Sequence, residues 1–91
     1  MKKYVIERAI PGVGQLNGEQ LKGAAATSNG ALAQLAPKVQ WVQSYVAADK
    51  TFCIYLADSE ASIRKHAELS GIPVNRITEI SQIIDPLTAN N

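Results

Sequence analysis

The chain has 91 residues, 46% of them hydrophobic, and a formal net charge of +1 from nine basic and eight acidic side chains. That content suits one domain with a thin core and is too apolar for a disordered chain. No basic run exceeds Lys2-Lys3, which argues against a phosphate-tracking nucleic-acid surface, and no apolar run reaches the length of a membrane span.

Lys3 to Ile10 alternates β-branched and aromatic residues and reads as a strand stopped by Pro11-Gly12. Tyr4, Ile6, Arg8 and Ile10 share one side, while Val5, Glu7 and Ala9 share the other. The adjacent Glu7 and Arg8 therefore point to opposite faces, and one charge must enter a covered layer, where it is costly unless paired. Asn17, with Gln20 three residues on, opens a helix from Glu19 to about Ala36 in a capping-box pattern. Leu21, Ala25, Ser28, Leu32 and Leu35 form its apolar stripe. Gly23 and Gly30, among alanines, predict a thin helix lying close to a sheet, and Pro37 ends it.

Val39 to Asp58 reads as a hairpin with a tight turn at Ala48-Asp49-Lys50. A three-residue loop there gathers Val42, Val46, Phe52, Ile54 and Leu56 on one face, and Trp41, Gln43, Tyr45, Cys53 and Tyr55 on the other. A two-residue loop would mix the two sets. The segregated register is the expectation. It leaves the face of Trp41, Tyr45 and Tyr55 open, in need of a second subunit, a ligand or both. Asp58 or Ser59 caps a second helix that runs to Ser70, with Gly71 at a left-handed end and Pro73 beyond. Its inner stripe holds Ile63, His66, Ala67 and Ser70. Arg76 to Ile84 reads as a last strand, and residues 86–91 as a short loose tail.

The order strand, helix, strand, strand, helix, strand is the ferredoxin-like βαββαβ pattern. The expectation is one α+β domain over residues 1–91, a four-stranded antiparallel sheet with both helices on one face. The first and third strands then lie side by side at the sheet centre, which places Glu7 near Cys53 and Tyr55.

His66 is the only histidine and the natural candidate for proton transfer or metal binding, against the ordinary alternative of a packed helix histidine. Cys53, the only cysteine, precludes an intrachain disulfide and suits the cytoplasm. It is a small hydrophobe unless a cation lowers its pKa or His66 comes within reach. One histidine and one cysteine, with no paired metal motif, exclude a closed zinc site within one chain, whereas a symmetric dimer would double the donors available to nickel or copper. Pro11-Gly12-Val13-Gly14 lacks the remainder of any phosphate loop and is read as a flexible turn.

Taken together, several segments resemble a known family. Tyr4-Val5-Ile6-Glu7-Arg8 with Pro11-Gly12 resembles its opening strand, and Trp41 to Val46 with Lys50 and Cys53-Ile54-Tyr55 its central hairpin. Ile63 to Ala67, Gly71-Ile72-Pro73 and Ile84-Asp85-Pro86 resemble its second half. This is the small bacterial family of unknown-function, nickel-responsive or nickel-binding ferredoxin-like proteins, and the similarity spans roughly residues 3 to 88. The resemblance implies a cytoplasmic homodimer with a possible nickel-binding or sequestering role. No iron–sulfur cluster is implied, because a single cysteine cannot hold one. The positions matching the family pattern that are able to carry a site are Glu7, Trp41, Tyr45, Cys53, Tyr55 and His66. Two functional expectations follow: a divalent metal, nickel, on His66, or a small molecule in a pocket between sheet and helices lined by Glu7, Tyr45, Tyr55 and His66. A purely structural dimer is the third reading.

Overall fold

The alternation of Lys2–Ala9 builds strand β1, and the apolar spacing of Gly18–Leu35 builds helix α1. They are followed by β2 (Val39–Val46), β3 (Lys50–Ala57), α2 (Glu60–Ser70) and β4 (Arg76–Ile80) in a computed structural model that describes residues 1–90. The four strands form one antiparallel sheet in the order β2-β3-β1-β4. β1 and β3 are central neighbours, the α+β arrangement expected from the element order.

The local start and stop signals act as expected. The Asn17 side chain accepts a hydrogen bond from the Gln20 amide, while the Gln20 side chain accepts from the Asn17 amide, a complete capping box. Ser59 caps α2, and Gly71 ends it at φ 72°, where a side chain would be strained. A single turn of 3-10 helix, Val13–Gln15, lies inside the loop after β1. That loop is tied to the β2–β3 turn: the Gly14 amide donates to the Ala48 carbonyl at 2.9 Å, and the Gly12 amide to Asp49 Oδ1 at 2.8 Å.

The hairpin register departs from expectation. Val46 lies opposite Thr51 and Tyr45 opposite Phe52, and the Ala47 amide donates to the Lys50 carbonyl, which is the register of a two-residue loop. A bulge between Trp41 and Gln43 then takes up Val42 as an extra residue and sets Trp41 opposite Tyr55. The ring-bearing residues are thereby divided. Trp41, Cys53 and Tyr55 face the helices, whereas Tyr45 stands on the open side with Phe52.

The choice of inner face is also the reverse of the expected one. The core gathers Tyr4, Ile6, Val39, Cys53, Tyr55 and Ala57 of the sheet against Ile63 of α2, with Leu32 and Leu35 of α1 packed on it. Phe52, Ile54 and Leu56 are on the uncovered face, where they are only half-buried. The parity of β1 decides this. Tyr4, Ile6 and Arg8 share one face, and Tyr4 pairs with Tyr55 while Ile6 pairs with Cys53.

Two smaller corrections concern α1 and the C-terminal region. A Cβ added at Gly23 or Gly30 meets no atom within 4 Å, so neither glycine serves a close approach. β4 ends at Ile80 rather than Ile84, because Ile80 already pairs with Lys3 and β1 starts at Lys2. Beyond it, Pro86–Asn90 forms an exposed 3-10 turn whose Leu87 and Thr88 amides donate to Asp85; Asn91 lies outside the described residues.

Candidate functional site

Between α1 and the inner face of the sheet lies a cavity of about 340 Å³. Small residues on α1 make the room. Ala24, Ala25 and Ser28 occupy the helix stripe where larger side chains would otherwise reach Trp41 and Tyr55. Leu21 adds a wall from the same helix, and Ile10, Val13 and Leu16 close one side from the loop after β1. The walls are largely apolar and the polar groups few, the usual composition of a small-molecule site.

The polar groups come from three elements. Ser28 Oγ lies 3.3 Å from Tyr55 Oη and 3.1 Å from His66 Nε2, so helix α1 links strand β3 to helix α2 through one hydroxyl. Tyr55 is 1% exposed and His66 0% exposed, and their rings meet at 5.2 Å between centroids. His66 Nδ1 is buried with no hydrogen-bond partner among the described residues. Burial pushes the His66 pKa below its ordinary value of 6.5, and the nearby Arg8 charge pushes it the same way. Burial raises the Tyr55 pKa above 10.0, so its hydroxyl keeps its proton and remains able to donate. The Tyr55–Ser28–His66 chain has two possible directions. When His66 Nε2–H donates to Ser28 and Ser28 donates to Tyr55, the Tyr55 proton is left free.

Arg8 completes the group. Only 2% exposed, it places its guanidinium carbon 5.6 Å from the Tyr55 ring centroid and lines the cavity. Its Nε and Nη2 are buried without a hydrogen-bond partner, and none of the ion pairs among the described residues involves it. A buried charge left unpaired in this way is unusual, and the ring of Tyr55 compensates it only in part.

The residues singled out from sequence are thus divided. Trp41, Cys53 and Tyr55 line the cavity, and His66 stands behind Ser28. Trp41 donates its indole N–H to Ser44 at 3.0 Å, a contact the Val42 bulge permits. Cys53 donates its thiol to Thr51, not to His66, so no thiol–imidazole pair forms. Glu7 and Tyr45 belong to the opposite face and do not line the cavity, contrary to the pocket expected from sequence. Glu7 is held there by Lys50 at 3.5 Å and Arg76 at 4.0 Å. Of the adjacent pair Glu7-Arg8, it is Arg8 that enters the covered layer. The signal was present: Arg8 shares parity with Tyr4 and Ile6, the more apolar side of β1.

A nickel centre does not fit the residues of one chain. Among the described residues no three His, Cys, Asp or Glu side chains come together. His66 is flanked by a guanidinium rather than a carboxylate, which disfavours a cation. No helix among the described residues is long and apolar enough to cross a membrane.

Comparison with known proteins agrees with the fold. A crystal structure of SCO4226 from Streptomyces coelicolor A3(2) is similar with a TM-score of 0.75 at 15% identity, over 90% of this chain and 99% of that one. No curated protein matches the chain. Residues 4–80 match the family described as nickel responsive protein SCO4226-like, and the chain belongs to that family.

Proposed function

We propose that this protein binds a small molecule in the cavity between α1 and the sheet, with Arg8, Ser28, Trp41 and Tyr55 in contact with it and Cys53 in the wall. The observation that carries this reading is the cavity itself, about 340 Å³ of apolar-walled space with polar groups converging from β1, β3 and α1. The space is a cleft open to solvent on one side, and an apolar cleft with a few convergent polar groups is the usual form of a small-molecule site. Trp41, the only tryptophan, reports on it directly. Titration with the uncharged probe 1-aminoanthracene is expected to change Trp41 emission, and the filling variant Ala25→Phe to abolish the change. An identical response in Ala25→Phe would overturn the proposal.

The family's description favours a second reading, a response to nickel. Because one chain does not supply a donor set, this reading draws the donors from two copies. His66 is fully buried on the side of the sheet away from its uncovered face and must be uncovered before it ligates. Calorimetric titration with nickel at a known oligomeric state tests the reading, and heats unchanged in His66→Ala would remove His66 as a ligand. A homodimer is itself part of the proposal, supported by the half-buried Val5, Phe52, Ile54 and Leu56 on the uncovered sheet face. The cytoplasm, which keeps thiols reduced, is the setting proposed for the single Cys53.

A further inference from the structure

We infer that the molecule held in this cavity is a small monocarboxylate, its single negative charge on Arg8 and its apolar or aromatic body among Leu16, Ala25 and Trp41. The inference rests on the binding role proposed above and specifies the chemistry of the ligand. Arg8 is almost wholly buried and lines the cavity, and its Nε and Nη2 have no partner among the described residues. Both nitrogens are sealed from the open space, so a carboxylate meets them once the guanidinium turns toward it. A guanidinium presents parallel N–H donors that match a carboxylate in a bidentate pair.

The ionisable groups lining the cavity are Arg8 of β1 and Cys53 and Tyr55 of β3, with His66 of α2 behind Ser28. From α1 the lining takes Leu21, Ala24, Ala25 and Ser28 and no charge, while on the same sheet face Tyr4 lies in the core and Lys2 pairs with Glu79 outside the lining. Tyr55 stays protonated, and His66 is disposed to be neutral. The cavity therefore holds one uncompensated positive charge, and one negative charge balances it. A dianion such as a phosphate ester would bring a second charge into apolar walls with no cation to meet it. Beside Arg8, the Tyr55 hydroxyl offers one further donor when the Ser28 chain runs toward it. At about 340 Å³ the space lies at the lower end of the ordinary range for small-molecule pockets, roughly 300–1,000 Å³, which suits a compact acid rather than a cofactor.

The test compares 2-naphthoate, 2-naphthylmethanol and 2-naphthyl phosphate by Trp41 fluorescence on the full chain. The expected order places naphthoate at least about tenfold tighter than the alcohol, the equivalent of one charge-assisted contact. Arg8→Met is expected to remove that preference while still binding the alcohol, and to melt no lower than the parent, because an apolar side chain replaces an unpaired charge. Arg8→Lys keeps the charge but loses the fork, and is expected to retain only part of the preference. Equal binding of acid and alcohol, or tighter binding of the phosphate, would overturn the carboxylate assignment while leaving a binding cavity in place. An Arg8→Met chain that does not fold would assign Arg8 to the framework and overturn the assignment as well. Loss of the alcohol and 1-aminoanthracene together would instead count against the cavity as a site.

Discussion

At the scale of single residues, the inner face concentrates groups whose protonation is set by burial. His66 has a folded-state pKa below 6.5, so the folded protein binds fewer protons there than the unfolded chain once pH approaches that value. The resulting stability is fully present above about pH 6.5 and is lost as pH falls toward the lowered value. His66→Gln keeps a hydrogen-bonding side chain for Ser28 but cannot titrate. Its melting temperature is expected to fall less than the parent's between pH 7 and pH 5, measured by thermal denaturation across that range. Parallel curves would show that His66 binds protons alike in the folded and unfolded states, and that burial does not lower its pKa. The lone histidine was legible from its place on the α2 stripe with Ile63, and its partner Ser28 from the α1 stripe with Leu21 and Ala25. Their meeting was not legible, because it depends on how two helices lie over the sheet. Arg8 was half legible: alternation required one buried charge in β1, but only the company of Tyr4 and Ile6 decides which one.

At the scale of elements, capping residues, glycine stops and strand order followed from local chemistry, while the hairpin register did not. Alternation in β2 breaks at Val42, and a bulge leaves no mark that distinguishes it from regular pairing in a single sequence. Segregation of aromatic from aliphatic residues was therefore a poor guide to the loop, and the two-residue register places Tyr45 beside Phe52 instead of Cys53. The glycines can be tested by substitution. Gly23→Ala and Gly30→Ala add a methyl into open space within a helix, and each is expected to stabilise by about 0.5–1 kcal/mol. Gly14→Ala does the opposite. Its Cβ would stand 2.6 Å from the Ala47 carbonyl oxygen and 2.8 Å from the Ala48 Cα, both backbone atoms, so the loop must lift from the hairpin. A loss of about 1–3 kcal/mol is expected in urea unfolding, together with weaker binding in the cavity that Val13 and Leu16 enclose. Equal stability of Gly14→Ala and the parent would show that this loop is not fixed against the turn.

At the scale of the molecule, the sheet separates two kinds of surface. Its inner side holds Arg8, Ser28, Tyr55 and His66 around a cavity; its outer side presents Val5, Tyr45, Phe52 and Ile54 with the Glu7 ion pairs. The expectation that one aromatic face would serve both association and ligand binding gives way to a division between two faces. If a second copy covers the outer side, Ile54→Glu should give a monomer by light scattering and leave probe binding within about twofold, since two buried glutamates would face each other across the interface. A dimer that persists in this variant would place the contact elsewhere.

The most direct measurement is an NMR titration of the labelled protein with 2-naphthoate, read at side chains that project to one face only. The binding site described here predicts shifts at the Arg8 Nε–H and the Trp41 indole N–H, with the Tyr45 and Phe52 rings unmoved. Shifts confined to Tyr45 and Phe52, with Arg8 and Trp41 silent, would contradict it.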